Sequence, residues 1–217
     1  MTAGPELGLR ERKKLATRRH IAETARRLFS ERGFERVPVA EIARAAEVSE
    51  QTVFNYFPTK EDLVYWRLES FEEELLAAIR NRAPGEPALR AFGRFVLAER
   101  GMLAERDPET RAQLADLTRT ILASPALLAR EQQILGGYTD SLARLLAAET
   151  GTDPDAAEPR VAAEALMGVH RSLLAFARRR IAEGGDHAAL AREVRAQGTA
   201  ALALLEGGLG TYAAGPR

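Results

Sequence analysis

The sequence predicts an all-α fold, and three observations support this prediction. Apolar residues recur at helical spacing along most of the 217-residue chain. No segment alternates apolar and polar residues with the period of two that a half-buried strand shows. Helix starts are also marked repeatedly, because Asp107-Pro108, Ser124-Pro125 and Asp153-Pro154 each place an N-cap residue before a proline. We therefore expect about nine helices and no strand.

The first two helices follow from apolar spacing and from the residues at their ends. Ile21, Ala25 and Leu28 lie on one face of a helix that Gly33 is expected to end as its C-cap. Pro38 suits the first turn of the second helix, because its missing amide hydrogen would be unpaired there in any case. These features predict two consecutive helices near the N-terminus.

Capping residues define the next two helices. Ser49 is a good N-cap for the third helix, and Pro58 stops it. Thr59 caps the fourth, with Asp62 three residues later in an arrangement like a capping box. Apolar residues continue to Ile79, so we expect this fourth helix to be unbroken. The predicted helices are 12–32, 39–46, 49–57, 60–82, 87–105, 109–123, 126–149, 155–182 and 187–206.

Composition excludes several classes of protein. The chain is 46% hydrophobic and 29% charged, which is ordinary globular composition and not that of a disordered chain. It has no cysteine, so disulfides, thiolate metal sites and cysteine nucleophiles are excluded. No apolar run approaches the roughly 20 residues of a membrane span, and no signal peptide is evident. We expect a cytoplasmic protein with no membrane partner.

Charge is unevenly distributed although the formal net charge is zero. The first 30 residues carry eight basic and three acidic side chains, a formal charge of +5. Such asymmetry suggests that the N-terminal end meets a polyanion. A solvated arginine-rich helix face is the alternative.

The most informative stretch, residues 38–57, reads as helix, tight turn, helix. Ala43 and Ala46 are small enough for the two helices to approach closely, and Val53 is placed to pin them together. The second helix of such a motif can enter the major groove of DNA. Short polar side chains on its outward face could reach base edges, and the side chains at its far end suit phosphate oxygens. These side chains are Glu50, Gln51, Thr52 and Asn55, followed by Tyr56 and Lys60.

Residues 15–75 resemble the DNA-binding head of the TetR family of bacterial transcriptional regulators. The resemblance is carried by Leu28-Phe29, Gly33-Phe34, Ile42-Ala43, Thr52 to Phe57 and Lys60 to Leu63. It implies a three-helix helix-turn-helix head joined to a helical C-terminal dimerisation and ligand-binding domain. The implied domains are a flexible basic arm (1–14), the head (15–75) with its motif at 38–57, and a regulatory and dimerisation domain (76–217).

The resemblance also implies roles for individual residues. Helix 50–56 would be the recognition helix, with Gln51 and Asn55 nearest the bases, and Arg10 to Lys14 resembles arms that reach the minor groove. The DNA-binding residues it implies are Arg44, Ser49, Glu50, Gln51, Thr52, Asn55, Tyr56 and Lys60. Two positions depart from the usual pattern, since Pro38 replaces a threonine and Phe54 replaces a tyrosine. Each change removes a hydroxyl that would contact a phosphate.

The family further implies a homodimer and a small apolar or amphipathic ligand. Predicted helix 155–182 is apolar on more than one face, so a partner subunit is expected to cover one of them. Helices 155–182 and 187–206 of the two subunits would form a symmetric four-helix interface. Packing inside a monomer is the alternative. The candidate ligand-binding residues are Trp66, Phe92, Phe95, Met102, Tyr138, His170, Arg171 and Phe176. Ordinary core packing is the alternative for each of them.

The predicted function is that of a homodimeric repressor released from a palindromic operator by a small molecule. Helix 60–82 would join head to body and carry the change that ligand binding causes. The alternatives are a helical interaction protein and a TetR-like activator or regulator without a ligand. We expect no enzyme, cofactor or metal, because the three histidines lack metal-ligand spacing and no glycine-rich phosphate loop follows a strand.

Overall fold

A computed structural model describes residues 8–66, 68–98, 104, 107–184 and 187–208. Within these ranges the chain forms ten α-helices and no strand, which confirms the all-α prediction. The helices are α1 (Leu9–Arg32), α2 (Val39–Ala45), α3 (Glu50–Tyr56), α4 (Asp62–Tyr65), α5 (Glu69–Arg80), α6 (Ala88–Leu97), α7 (Pro108–Ala123), α8 (Pro125–Thr150), α9 (Ala157–Ala182) and α10 (His187–Gly207). None of these helices is long and apolar enough to cross a membrane.

The cap predicted at Ser49 is confirmed, whereas Thr59 and Asp62 form the predicted reciprocal bonds in the turn before α4, whose N-cap position is Glu61. The Ser49 hydroxyl accepts a hydrogen bond from the Thr52 amide at 3.0 Å. The Thr59 amide donates to Asp62 Oδ2 at 3.0 Å, and the Asp62 amide donates back to Thr59 Oγ1 at 3.4 Å. Gly33 follows α1 with φ of 81°, a conformation that residues with a side chain rarely adopt. The helix start predicted at Asp153-Pro154 is wrong, because Asp153 accepts from the Asp155 amide in a turn and α9 begins only at Ala157.

Two of the predicted helices are wrong. The segment 60–82 is not one helix, because α4 ends at Tyr65 and α5 begins only at Glu69. The Leu68 amide donates to the Tyr65 carbonyl at 2.8 Å and closes a tight turn between them. The predicted helix 87–105 ends at Leu97, where Ala98 turns to extended backbone. The rest of that prediction lies mostly outside the described residues.

The chain divides into two compact units. The first contains the described residues up to Leu68 together with Arg119–Arg130. The second contains Glu69–Thr118 and the described residues from Glu131 onwards. The break between α4 and α5 thus coincides with the boundary between the units.

The first unit has an apolar core, and polar contacts within it link α4 to the corner between α7 and α8. Its core side chains are at most 1% exposed and comprise Ile21, Phe29, Val37, Ile42, Val53, Phe57 and Leu63. The Tyr65 hydroxyl donates to the Leu127 carbonyl at 2.9 Å, and Arg130 Nε donates to Asp62 Oδ1 at the same distance. These contacts anchor α4 within the first unit.

The second unit is a bundle in which α10 packs against α6 and α9. Its most deeply buried side chains include Leu75, Ile79, Phe92, Leu142 and Met167. A methyl group added at Gly198 of α10 would overlap Leu97 and press against Leu173. Glycine at this position therefore permits the close approach of three helices.

Candidate nucleic-acid interface and core polar cluster

The helix-turn-helix is held together by apolar contacts and a short backbone turn. Ile42 and Val53 are at most 1% exposed, and Ala43 and Ala46 are each 3% exposed. In the turn, the Val48 amide donates to the Ala43 carbonyl at 2.9 Å. This packing secures one face of α3 and leaves its opposite face pointing outward.

The outward face of α3 carries the polar residues predicted to meet DNA. Ser49, Glu50, Gln51 and Asn55 are exposed, and Thr52 and Tyr56 are partly exposed. Arg44 on α2 is also exposed. These side chains are accessible on the first unit, as a surface that binds a nucleic acid requires.

Two pairs of polar groups on α3 are already hydrogen-bonded to each other. Gln51 Nε2 donates to Asn55 Oδ1 at 3.1 Å, across one turn of the helix. The hydroxyl oxygens of Ser49 and Thr52 lie 2.8 Å apart, and one hydroxyl donates a hydrogen bond to the other. These bonds restrict the side-chain orientations that a ligand would meet.

Lys60 takes part in an interaction that sequence reasoning missed. Its ammonium donates to the Phe34 carbonyl at 2.6 Å and lies 4.3 Å from the centroid of the Phe34 ring. Burial lowers the pKa of this ammonium, while the charges of Glu35 and Glu61 oppose that shift. Lys60, two residues before α4, is thereby linked to Phe34 in the turn that follows α1. Its contact with phosphate stays a prediction.

The basic N-terminal residues are placed on a helix. Because α1 begins at Leu9, the segment Arg10 to Lys14 of the expected arm forms its first turns, and these side chains are exposed. Further along α1, Arg19 pairs with Glu23 at 2.7 Å. The first seven residues of the expected arm lie outside the described residues.

Three predicted ligand-binding residues meet around one aromatic ring in the second unit. The ring centroid of Phe71 lies 4.6 Å from that of His170, 5.8 Å from that of Tyr138 and 5.2 Å from that of Phe95. Sequence reasoning missed Phe71, although its spacing from Leu75 and Ile79 places it on the apolar stripe of α5. We call Phe71, Phe95, Tyr138 and His170 the ring cluster.

The other predicted ligand-binding residues are not part of the ring cluster. Phe92 is fully buried, and Phe176 is partly exposed on α9. Trp66 falls in the first unit, and its role in ligand binding stays a prediction. Arg171 donates to Glu164 at 2.9 Å. Met102 lies outside the described residues.

Open grooves of the second unit are lined mainly by other residues. One of about 360 Å³ lies between α6 and α10, with Leu89, Gly93 and Leu202 among its lining residues. Another of about 460 Å³ lies between α5 and α6 and includes Phe95. Of the predicted ligand-binding residues, only Phe95 therefore borders either of these grooves.

The ring cluster lies in a part of the core that also contains charged groups. Glu131 and Arg178 form a bidentate ion pair, with side chains only 5% and 10% exposed and Nη1 2.6 Å from Oε2. Burial is the main cause that lowers the pKa of His170 to about 4, and the charges of Arg171 and Arg178 add to it. His170 is therefore a neutral imidazole near pH 7, with one donor and one acceptor nitrogen. Among the described residues, no group of three or more histidine or acidic side chains could hold a metal ion.

This shift makes folding stability depend on pH. The pKa of His170 is about 4 when folded against 6.5 ordinarily, so the unfolded chain takes up the proton first as the pH falls. We expect stability to be full above pH 6.5 and to be lost progressively between pH 6.5 and 4, by up to about 3 kcal/mol. Urea unfolding of the His170→Gln variant should show a flatter profile over this range. The exposed His20→Gln variant serves as control, and an unchanged slope in the His170→Gln variant would contradict the assignment.

Comparison with known proteins agrees with this architecture. A helix-turn-helix head followed by a helical C-terminal unit is typical of helical transcriptional regulators. Residues 21–65 match the family model described as bacterial regulatory proteins of the tetR family, and residues 86–209 match that of the MftR C-terminal domain. The chain belongs to the TetR family of bacterial transcriptional regulators.

Relatives with known names are themselves regulators. The transcriptional regulator TcmR of Streptomyces glaucescens is 33% identical over 150 residues, which cover 68% of this chain and 66% of that protein. The putative mycofactocin biosynthesis regulator MftR of Mycobacterium tuberculosis is 27% identical over 73% of this chain and 78% of that protein. The matched segment thus spans just under two thirds of TcmR.

Solved structures share the fold at low sequence identity. NalD, the secondary repressor of the MexAB-OprM efflux pump in Pseudomonas aeruginosa, is 20% identical with a TM-score of 0.54, covering 88% of this chain and 97% of that one. A SmeT–triclosan complex is 19% identical with a TM-score of 0.52, covering 86% of this chain and 91% of that one. At this identity the likeness concerns the fold alone.

Proposed function

We propose that this regulator is a homodimeric repressor that binds a palindromic operator through α3 and leaves it when a small molecule binds the second unit. The observation that carries the DNA-binding part is the division of α3 into two faces. Val53 is buried at 1% exposure, whereas Gln51 and Asn55 stand exposed on the opposite face. In this proposal the protein has no enzymatic activity and acts in the cytoplasm.

Partly uncovered apolar side chains on α9 support the homodimer. Val161 is 65% exposed, and Leu174 and Phe176 of the same helix are partly exposed. Exposed apolar groups on a helix favour contact with another protein surface, and a second copy is the usual partner in a symmetric assembly. Two heads about 34–36 Å apart would then occupy successive major grooves on one side of the duplex.

The ring cluster supports the ligand part of the proposal. It combines aromatic surface with a neutral imidazole, and small-molecule sites are mostly apolar with a few placed polar groups. The SmeT structure is a complex with triclosan, which is consistent with a small-molecule ligand in a fold of this kind. A ligand can release the operator only if it binds the two states with different affinities. Because α4 and α5 are separate helices, no single unbroken helix carries the conformational change that ligand binding causes.

Activation instead of repression is the second candidate. One relative, 29% identical over 31% of this chain, is named as the transcriptional activator DhaS of Lactococcus lactis. Both candidates need the same contact with DNA. They differ in whether operator occupancy lowers or raises transcription of a reporter gene.

Retention on duplex DNA at increasing salt tests the DNA-binding part of the proposal. Log K should fall by about 0.9 for each neutralised phosphate per tenfold rise in salt concentration, so six to ten contacts would weaken binding about 10³- to 10⁵-fold between 50 and 200 mM salt. Fluorescence anisotropy on a labelled duplex enriched from a random pool measures this slope. The Arg44→Ala variant should have a shallower slope, and Arg144→Ala, an exposed arginine of α8, is the control. Binding that is absent or insensitive to salt would favour a helical interaction protein.

A further inference from the structure

The hydrogen bond between the two amide side chains of α3 limits what each can offer to a base. Gln51 and Asn55 are both exposed, and Gln51 Nε2 donates to Asn55 Oδ1 at 3.1 Å. We propose that this bond makes Gln51 a reader of adenine and Asn55 a reader of guanine or thymine in each operator half-site. The inference rests on the proposed function, in which α3 lies in the major groove.

The groups left free on Gln51 match adenine. A glutamine amide has two N–H donors and a carbonyl acceptor, and one donor is used by Asn55. The remaining N–H and Oε1 form an adjacent donor and acceptor. Adenine presents the complementary pair in the major groove, because N7 accepts and the N6 amino group donates. The bond to Asn55 therefore leaves the bidentate contact with adenine intact and restricts the orientation of the side chain that makes it.

The groups left free on Asn55 point to a different base. One of the two lone pairs of its Oδ1 already accepts from Gln51, which leaves both N–H donors of Nδ2 free but only one lone pair on the carbonyl. Guanine offers O6 and N7 as acceptors in the major groove, and thymine offers O4. An asparagine without this internal bond would pair with adenine through both donor and acceptor. The bond therefore competes with adenine for the Asn55 carbonyl and leaves its donors unchanged, which shifts the preference of Asn55 towards guanine or thymine.

The two bases should be near neighbours in the half-site. Gln51 and Asn55 are four residues apart, which is about 6 Å along a helix axis at 1.5 Å per residue. Successive bases of one strand are about 3.4 Å apart along the duplex. The two contacted positions are therefore expected within two base-pair steps of each other.

No cationic side chain on α3 competes for these bases. The helix has the sequence Glu-Gln-Thr-Val-Phe-Asn-Tyr, so arginine and lysine, the commonest readers of guanine, are absent from it. Glu50 is an acceptor only and suits the amino group of cytosine. Within α3, a guanine or thymine near the adenine is thus assigned to Asn55.

Selection of bound duplexes from a random pool tests this inference in the full-length chain. Comparison of the wild-type and Gln51→Ala selections identifies the operator position at which the variant no longer prefers one base. At that position the wild-type protein should select adenine about 5- to 150-fold over other bases. The position that loses its preference in Asn55→Ala should be guanine or thymine. In Gln51→Ala the Asn55 carbonyl is freed, so the preference at the second position should shift towards adenine.

A second variant changes the chemistry while keeping the internal bond. In Asn55→Asp the carboxylate still accepts from Gln51 but has no donor, so the second position should change to cytosine while the adenine remains. Exposed Gln132→Ala on α8 is the matched control and should select the wild-type sequence. Circular dichroism checks that each variant keeps its helices.

The outcomes separate failure of this inference from failure of the proposed function. If the wild-type protein enriches a sequence in which Asn55 reads adenine, or if Gln51→Ala leaves the Asn55 position unchanged, the inference is overturned and DNA binding stands. If the wild-type protein enriches no duplex, the proposed function fails and the inference fails with it. If the Asn55→Asp variant keeps adenine at the Gln51 position and selects cytosine at the second position, the inference is supported directly.

Discussion

Replacing Val53 with aspartate is expected to unfold the helix-turn-helix and to abolish retention on DNA. Val53 is 1% exposed and packs α3 onto the core of the first unit. The new carboxylate would have no buried partner, and an uncompensated buried charge costs about 3–5 kcal/mol. That cost is a large fraction of the stability of a typical domain, so the first unit should unfold at ordinary temperature. Loss of helical circular dichroism on heating and loss of anisotropy with a labelled duplex measure the two effects.

The neighbouring residue provides a control for the added charge. Phe54 is 44% exposed on the same helix, so Phe54→Asp adds the same charge in contact with water. A surface substitution of this kind changes stability by about 0.5 kcal/mol or less. If both variants lost stability equally, the assignment of Val53 to the core and of Phe54 to the surface would be refuted.

Removing Arg178 should destabilise the second unit by a similar amount. The guanidinium forms two hydrogen bonds with Glu131, whose side chain is only 5% exposed. In the Arg178→Ala variant this carboxylate remains buried without its partner, at a cost of about 3–5 kcal/mol. Urea unfolding followed by circular dichroism gives the free energy. At neutral pH the urea concentration at the unfolding midpoint of Arg178→Ala should be clearly lower than that of the wild-type protein.

A double variant distinguishes charge from packing at this site. Replacing both partners, as in Glu131→Leu with Arg178→Met, removes the buried charges while keeping most of the volume, and such exchanges are often neutral. We therefore expect the double variant to recover most of the stability lost in Arg178→Ala. Arg160→Ala is the exposed counterpart, because its pair with Asp140 is about half exposed on both sides and is worth at most about 1 kcal/mol. A double variant as unstable as Arg178→Ala would show that side-chain shape, and not charge, holds this region.

Local chemistry in the chain was sufficient to predict most helices and the caps between them. Ser49 and the Thr59–Asp62 pair make the predicted hydrogen bonds, because a cap depends on residues within three positions of each other. The break before Glu69 was not predictable in this way. There the apolar pattern continues, and the Tyr65 hydroxyl beside the break bonds to the carbonyl of Leu127, which is 62 positions away in the chain.

The candidate DNA-binding residues of α3 could be proposed from sequence because they lie on a single short helix. Seven residues of α3 determine which side chains share a face, and the buried Val53 then sets which face is outward. Lys60 shows where this reasoning stops. Its contact with the Phe34 carbonyl joins residues 26 positions apart, and no pattern of spacing reveals such a contact.

By itself, the sequence determined the helical class, the helix-turn-helix and the polar set that α3 presents, because periodicity and capping act over a few residues. Only the tertiary structure decided that Phe71 gathers Phe95, Tyr138 and His170, that Arg178 is buried with Glu131, and that the fourth helix is divided. These features depend on which helices pack together. Packing is selected by the burial of whole faces and by pairing of the polar groups buried with them, which are properties of distant segments acting at once.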